Sequence, residues 1–263
     1  MLILIKGAGD LASGIALRLH HARFDIVMTD LPVPTAVRRT VAFSEAIRFG
    51  STVVEDITAE KADTIDQIRD CLSRGVIPVT TGLESEILEL LKPEVEVDAI
   101  IAKRNINTSI DDAPLVIGVG PGFTAGVDCN AVIETKRGHT LGRVIREGSA
   151  IANTGIPGNI GGETTRRLLK SPADGVFHPV KEIGDIVIRG VIVGYVDGIP
   201  VFTQTAGMIR GLLQDGVEVT EGFKCGDVDP RGELADYTTV SDKALAIGGG
   251  VLEAIMAYAS DRF

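Results

Sequence analysis

The chain has no tryptophan, and aromatic residues make up only 4% of its 263 positions. Its hydrophobic content of 44% is nonetheless enough for packed cores and argues against disorder. Positive charge is also scarce. Lys and Arg total 26 against 36 Asp and Glu, a net charge of −10. With the acids spread over both halves, no general basic face for nucleic acid is expected. Any anion must be recognised by a local cluster of cations. Cysteine is limited to Cys71, Cys129 and Cys225, with no C-x-x-C. That excludes a disulfide framework and a structural zinc site. Each cysteine is expected as a small buried hydrophobe. Cys129, near a glycine-rich loop, is the one candidate for a reactive thiol. His20 and His21 fall on an early helix as surface residues, and no metal-ligand spacing occurs. No apolar run reaches the ~18 residues of a membrane span. The opening MLILIKGAG is too short for a signal-peptide core and lacks a cationic leader. The expectation is a cytoplasmic protein without membrane partners.

Glycine, by contrast, is in excess: 31 of 263 residues, against a usual ~7%. Six lie in residues 1–100 and twenty-five beyond, so two architectures are expected in one chain. Helix interiors avoid glycine, whereas β modules with many tight turns use it.

Residues 1–104 alternate between two patterns. Leu2–Ile5, Asp25–Thr29, Val76–Val79 and Val97–Ala102 are short apolar runs of the kind buried parallel strands show. Leu11–Leu19, Ala59–Ser73 and Glu84–Leu91 have helical spacing. The order predicts a parallel sheet with helices on both faces. From 105 to 170 the strand candidates Leu115–Val119, Cys129–Thr135 and Leu141–Ile145 are joined by glycine-rich loops, and Glu163–Lys170 is expected as a short helix. Residues 171–235 repeat internally. A shift of 32 superposes 174–197 on 206–229 with seven identities in 24 positions, four of them glycine. Near the end, SDKALAIGGGVLEAIMAYAS carries an apolar helical stripe interrupted by Gly248, Gly249 and Gly250. Each costs about 1 kcal/mol in a helix interior. Either the helix breaks there or another backbone packs very close, within the chain or in a homo-oligomer.

The most informative local motif is LILIKGAGDLA. A strand leads into G-x-G-x-x-A at Gly7, Gly9 and Ala12, and a helix follows. Gly7 permits the turn, Gly9 admits a pyrophosphate to backbone N–H groups, and Ala12 lets helix and strand pack closely. Asp10 follows Gly9 and sets a negative charge beside the phosphate position. Asp30 ends the second strand, 21 residues after Gly9, where an acid would bond a ribose hydroxyl. A dinucleotide or nucleotide fits this turn; a lapsed site on the same scaffold is the alternative. Two further anion-site candidates are GVGPGFTAG, through Gly120 and Gly122, and KRGHTLGR, through Lys136, Arg137 and Arg143. His139 in the latter is a candidate proton donor. Lys103 and Arg104 follow a strand end, where open α/β sheets bind ligands.

Two stretches resemble known families. The repeat SPADGVFHPVKEIGDIVIRGVIVGYVDG and QTAGMIRGLLQDGVEVTEGFKCGDVD resembles a biotinyl/lipoyl-type barrel-sandwich. The turn at Tyr195–Gly198 lacks the carrier lysine, so no covalent biotin or lipoyl group is expected and a docking role is implied. The set KGAGDLASGIA, RRTVAFSEA, GLESEIL, DAIIAKRN, GVGPGFTAGVD, VIETKRGHTLGRVI, NTGIPGNIGG and SDKALAIGGGVLEAI is similar to YqeB-type accessory proteins of selenium-dependent molybdenum hydroxylases, linked to the XdhC/CoxF maturation factors. That resemblance implies maturation of such a hydroxylase, with the enzyme or its cofactor-assembly proteins as partners and NAD(P) or the nucleotide portion of a molybdenum cofactor as the ligand of the turn. An NAD(P)-dependent oxidoreductase using Lys103 or His139 as acid/base, and a non-catalytic interaction protein with a vestigial site, are the alternatives; whether the chain is an enzyme stays open. The expected plan is a Rossmann-like α/β domain over 1–104, a β-rich linking domain over 105–170, a barrel-sandwich over 171–235, and a terminal helix over 236–263 packing back on the first domain.

Overall fold

A computed structural model describes residues 1–155 and 157–260. The chain forms two compact units. The first takes in Met1–Pro34, Ala42–Thr154 and the stretch from Val240 onward, the second Thr35–Val41 and Gly155–Thr239.

The first unit is built on β1 (Leu2–Lys6), α1 (Asp10–His21), β2 (Asp25–Thr29), α2 (Glu45–Phe49), β3 (Ser51–Val54), β4 (Ile57–Lys61), α3 (Ile65–Ser73), β5 (Ile77–Thr80), α4 (Glu84–Glu86) and β6 (Val95–Asp98). It continues with β7 (Leu115–Val119), β8 (Thr124–Ala125), β9 (Ala131–Ile133), β10 (Val144–Ile145) and β11 (Gly148–Ser149). Nine strands make one sheet in the order β10-β9-β7-β6-β1-β2-β5-β4-β3. Seven run parallel; β10 and β3 close the two edges antiparallel. β1 is followed by β2 on one side, and β6 returns on its other side, so the chain reverses direction across the sheet between β1 and β6. The central strands are apolar on both faces, and Ile3, Leu4, Ile5, Val27, Val97 and Ile117 are wholly buried.

Two elements differ from the sequence expectation. The helical stretch Ala59–Ser73 is a strand and then a helix. Thr64 caps α3 by accepting the Gln67 N–H at 3.2 Å, and the Gln67 side chain accepts the Asp63 N–H at 2.7 Å. This reciprocal cap sets the helix start after residue 62 and frees Ile57–Lys61 to pair with β3 and β5. Glu163–Lys170 is a single 3-10 turn at Thr165–Arg167 followed by a strand.

The last helix of this unit, α5 (Asp242–Ala259), runs unbroken through its three glycines. It lies beside α1 with the same chain direction. A Cβ on Gly14 would sit 2.4 Å from Ala244 Cβ, and one on Gly248 would sit 3.0 Å from Gly14 O. Gly250 faces the turn before β10, where a Cβ would lie 2.1 Å from Gly142 O, whereas Gly249 faces open space. The glycines are therefore not equivalent. Gly249→Ala is expected to raise stability by about 0.5–1 kcal/mol through helix propensity. Gly250→Ala is expected to lower it by about 1–3 kcal/mol through overpacking against backbone. Urea titrations of the two variants check this, and equal effects would contradict the packing.

In the second unit, β12 (Leu168–Lys170), β13 (Gly175–Pro179), β14 (Ile186–Val187), β15 (Ile192–Val196), β16 (Ile199–Phe202), β17 (Gly207–Leu212), β18 (Val217–Val219) and β19 (Lys224–Asp229) form two antiparallel four-stranded sheets. Their orders are β12-β19-β17-β14 and β16-β15-β13-β18. The 32-residue shift carries β12 to β16, β13 to β17, β14 to β18 and β15 to β19, so each sheet is the repeat image of the other. Irregular registers at Leu169/Lys170, Ile192/Gly194 and Ile209/Gly211 bend the sheets. Phe177, Val193, Val196, Ile209, Leu212 and Val228 fill the space they enclose.

The expected fold class is thereby corrected. The α/β sheet is not a Rossmann-like domain closed within residues 1–104. The buried runs of β7 and β9 extend the same sheet in parallel beyond that point, and antiparallel strands finish its edges. The region 105–170 is likewise no domain of its own, because Thr154 ends its share of the first unit. The repeat forms a pair of curled antiparallel sheets that also recruits Thr35–Val41, with Leu212 N–H donating to Val37 O at 2.7 Å. A separate biotinyl/lipoyl-like barrel is not the description that fits.

Candidate functional site

In an open parallel sheet, ligands sit beyond the carboxyl ends of the strands, where the chain reverses across the sheet. Here that place lies beyond the ends of β1 and β6. The residues collected there come from the ends of β1, β2, β5, β6, β7 and β9.

β1 ends in Lys6, which is wholly buried. Its Nζ reaches Glu84 at 2.9 Å and Glu96 at 3.3 Å, and donates to Thr108 Oγ1 at 2.8 Å. Thr108 Oγ1 in turn donates to Asp98 at 2.8 Å. Three carboxylates thus face one ammonium. Burial opposes the charge on Lys6, but Glu96, Glu84 and Asp98 outweigh it and raise its pKa. Burial pushes Glu96 up to about 7, with Lys6 pulling against it. Asp98 is raised for the same reason, against its hydrogen bonds from Thr108 and the Ile100 N–H. Glu96 Oε2 and Thr80 Oγ1 are buried without a hydrogen-bond partner among the described residues. Buried titratable groups with shifted pKa values cluster at functional sites.

The turn after Lys6 has the geometry its glycines allow. Gly7 has φ +96°, and a Cβ there would meet Ala99 O at 2.9 Å. Gly9 is the N-cap of α1, extended, with no side-chain cap on the helix's first N–H groups. Asp30 does not stand free for a ribose. Its carboxylate accepts the Ala8 N–H at 2.8 Å and the Leu31 N–H at 2.7 Å, so it braces the turn. Burial raises its pKa against those two donors. Ala12 is buried at the helix–strand contact, and Asp10 lies in the first turn of α1.

Beyond β6 the backbone is strained. Ile101 and Lys103 have φ of +61° and +63°, a region β-branched and bulky residues rarely occupy. The glycine loop after β7 holds this segment: a Cβ on Gly122 would lie 2.5 Å from Arg104 N. Gly120 lies against Thr135 in the same way, at 2.9 Å from its Oγ1. The loops carrying Lys103 and Arg104, Gly120 and Gly122, and Thr135 and Lys136 therefore touch in sequence.

The predicted hairpin forms from β9 and β10, with Ile133 opposite Val144. Its base is fixed by Glu134, which is buried and accepts the Lys136 and Ile151 N–H groups at 2.7 and 2.9 Å. Arg137 is committed to a two-bond pair with Asp242, at 2.7 and 3.0 Å, so the clamp loses that member. Among the described residues, the side chains of Lys103, Arg104, Lys136 and Arg143 have no hydrogen-bond or ion-pair partner. His139 is exposed and likewise unpartnered. Lys6, Glu96 and Asp98 are site residues that the sequence motifs did not point to. Lys6 and Asp98 were legible as charged residues ending apolar strands.

Cys129 is wholly buried, and burial pushes its thiol up to about 11, which removes it as a reactive thiol. Within the loop NTGIPGNIGG, Ile156 lies outside the described residues. Among the described residues, no three or more His, Cys, Asp or Glu come together to hold a metal ion. No helix among them is long and apolar enough to cross a membrane.

No protein-family model matches the sequence. A curated relative, the uncharacterized protein YqeB of Escherichia coli (strain K12), is 51% identical over 255 residues, covering 97% of this chain and 47% of the relative. The chain thus spans about half the length of the curated relative it matches. Among solved structures, it is similar to an aspartoacylase family protein from Mesorhizobium loti (TM-score 0.29, 11% identity, 86% of this chain and 84% of that one). It is also similar to a succinylglutamate desuccinylase/aspartoacylase from Rhodobacter sphaeroides (TM-score 0.28, 15% identity, 86% and 84%). At those scores neither sets this chain's activity. These findings correct the family expectation. The relative is itself a YqeB protein, and its name describes no activity. Maturation of a selenium-dependent molybdenum hydroxylase has no support here, nor do the Rossmann and XdhC/CoxF labels.

Proposed function

We propose that the first unit binds a phosphate-bearing small molecule of the nucleotide class at the carboxyl edge of its nine-stranded sheet. One observation carries this reading. In a chain of net charge −10, unpaired cations at Lys103, Arg104 and Lys136 stand on loops that adjoin a glycine turn and an uncapped helix N-terminus. The helix dipole favours an anion there. Three buried, unlinked cysteines agree with a reducing, cytoplasmic setting.

The test uses Gly9→Asp. An aspartate at the extended N-cap position can accept the helix's first N–H groups, a gain over glycine of about a few tenths of a kcal/mol, and sets a negative charge where the phosphate would rest. Calorimetry with ADP and NAD is expected to show saturable binding by the wild type. The variant should lose that binding while its unfolding midpoint holds or rises. Unchanged binding by Gly9→Asp would remove the turn from the site.

A further inference from the structure

Lys243 sits in the first turn of α5, where the helix dipole disfavours a cation. Ser241 already caps that helix through the Ala244 N–H at 3.2 Å, and Asp242 supplies the first-turn acid and is paired with Arg137. Lys243 has no place in this capping arrangement. Its side chain is half-buried and has no hydrogen-bond or ion-pair partner among the described residues. Burial lowers its pKa, Arg137 adds to that, and Asp10, Glu134 and Asp242 act against it. An amine that is desolvated, unpaired and of the wrong sign for its helix position contributes nothing to stability that a methionine would not.

The packing of α5 on α1 explains where this amine stands. The two helices run in the same direction with Ala244 beside Gly14. Their N-termini therefore lie side by side, which sets the first turn of α5, with Lys243, beside the first turn of α1, with Asp10. Gly14, Gly248 and Gly250 are the residues that allow this approach, since a side chain on any of them would push α5 away.

We propose that Lys243 is a further ligand-contacting cation of the site, its ammonium donating to the phosphate that rests on the Gly7–Asp10 turn. This rests on the phosphate-binding reading above and deepens it. The residue that completes the site comes from the far end of the chain, more than 230 positions from the turn it serves.

The experiment is calorimetry of the full chain with ADP, comparing wild type, Lys243→Met and Lys243→Arg, with unfolding midpoints alongside. Lys243→Met is expected to weaken ADP roughly ten- to a hundredfold, the worth of one charge-assisted hydrogen bond. Lys243→Arg should fall between, and both midpoints should stay near wild type. A second readout needs no variant: acetylation of wild-type Lys243 by an amine-reactive reagent, followed by mass spectrometry, should be slowed by ADP. If wild type binds ADP and Lys243→Met binds it equally, or ADP leaves the acetylation rate unchanged, Lys243 is not the contact and the phosphate site stands without it. If wild type binds no ADP at millimolar concentration, the parent reading fails and this assignment falls with it.

Discussion

Lys6→Met is expected to destabilise the first unit by about 3–5 kcal/mol, the cost of leaving a buried carboxylate without its partner. Methionine keeps much of the apolar stem, so the loss reports the ammonium. The effect should depend on pH with a defined sign. Glu96 has a folded pKa of about 7, above its model-peptide value of 4.5. A carboxyl raised on folding stabilises the fold in its protonated form. That contribution is whole below about pH 4.5 and is lost as pH rises through 7. Lys6 is the group that now pulls the Glu96 pKa down. Without it the carboxyl holds its proton more tightly, and ionising it in the folded state costs more. The deficit of the variant relative to wild type should therefore grow between pH 5 and pH 8. Urea titrations at those two values measure it. A deficit equal at both would mean that Lys6 acts by packing and not by charge.

The second large effect belongs to the other unit. Asp229 is wholly buried and accepts from Arg231 at 2.9 and 2.6 Å and from Arg210 at 3.4 Å. Burial alone would raise its pKa, but the hydrogen bonds and charge of Arg231, with Arg210 behind them, hold it at about 2. Asp229→Ala is expected to cost about 3–5 kcal/mol, because Arg210 is mostly buried and loses its carboxylate. In the wild type the sign runs opposite to that of Glu96. The Asp229 contribution is present above the ordinary carboxylate value of 3.8 and is lost as pH falls through 2. With two units in the chain a single unfolding curve is ambiguous. Hydrogen exchange of peptides from Gly207–Leu212 and Lys224–Asp229 is the better readout. Unchanged protection there in Asp229→Ala would contradict the account.

Much of the framework was legible in the residues, and the failures have physical causes. β1, β2, β5 and β7 announced themselves as short apolar runs because both faces of a central parallel strand are buried. The repeat was legible because its glycines meet backbone constraints twice: Gly175 and Gly207 have φ of +145° and +149°. β4 was lost because its five residues share apolar positions with the helix after it, though the Thr64-x-x-Gln67 cap signal was there to separate them. The extent of the sheet was misjudged because the glycines of 105–154 sit in loops of the same sheet, and the second unit takes over only from Gly155. The site itself was half visible. Glycine motifs and clustered cations point to it from sequence. Lys6, Glu96 and Asp98 are brought together by strand pairing, and Lys243 is set beside the first turn of α1 by helix packing, which no local pattern encodes. Asp30 shows the converse: its position suits a ribose contact, and the structure spends it on the turn.

The central claim is that the carboxyl edge of the nine-stranded sheet binds a phosphate-bearing anion. Hydrogen exchange of the full chain with and without ADP tests it most directly. The account predicts added protection in residues 7–13, 99–104, 120–123 and 134–137, with the second unit unchanged. Protection confined to 157–239, or none at millimolar ADP, would contradict it.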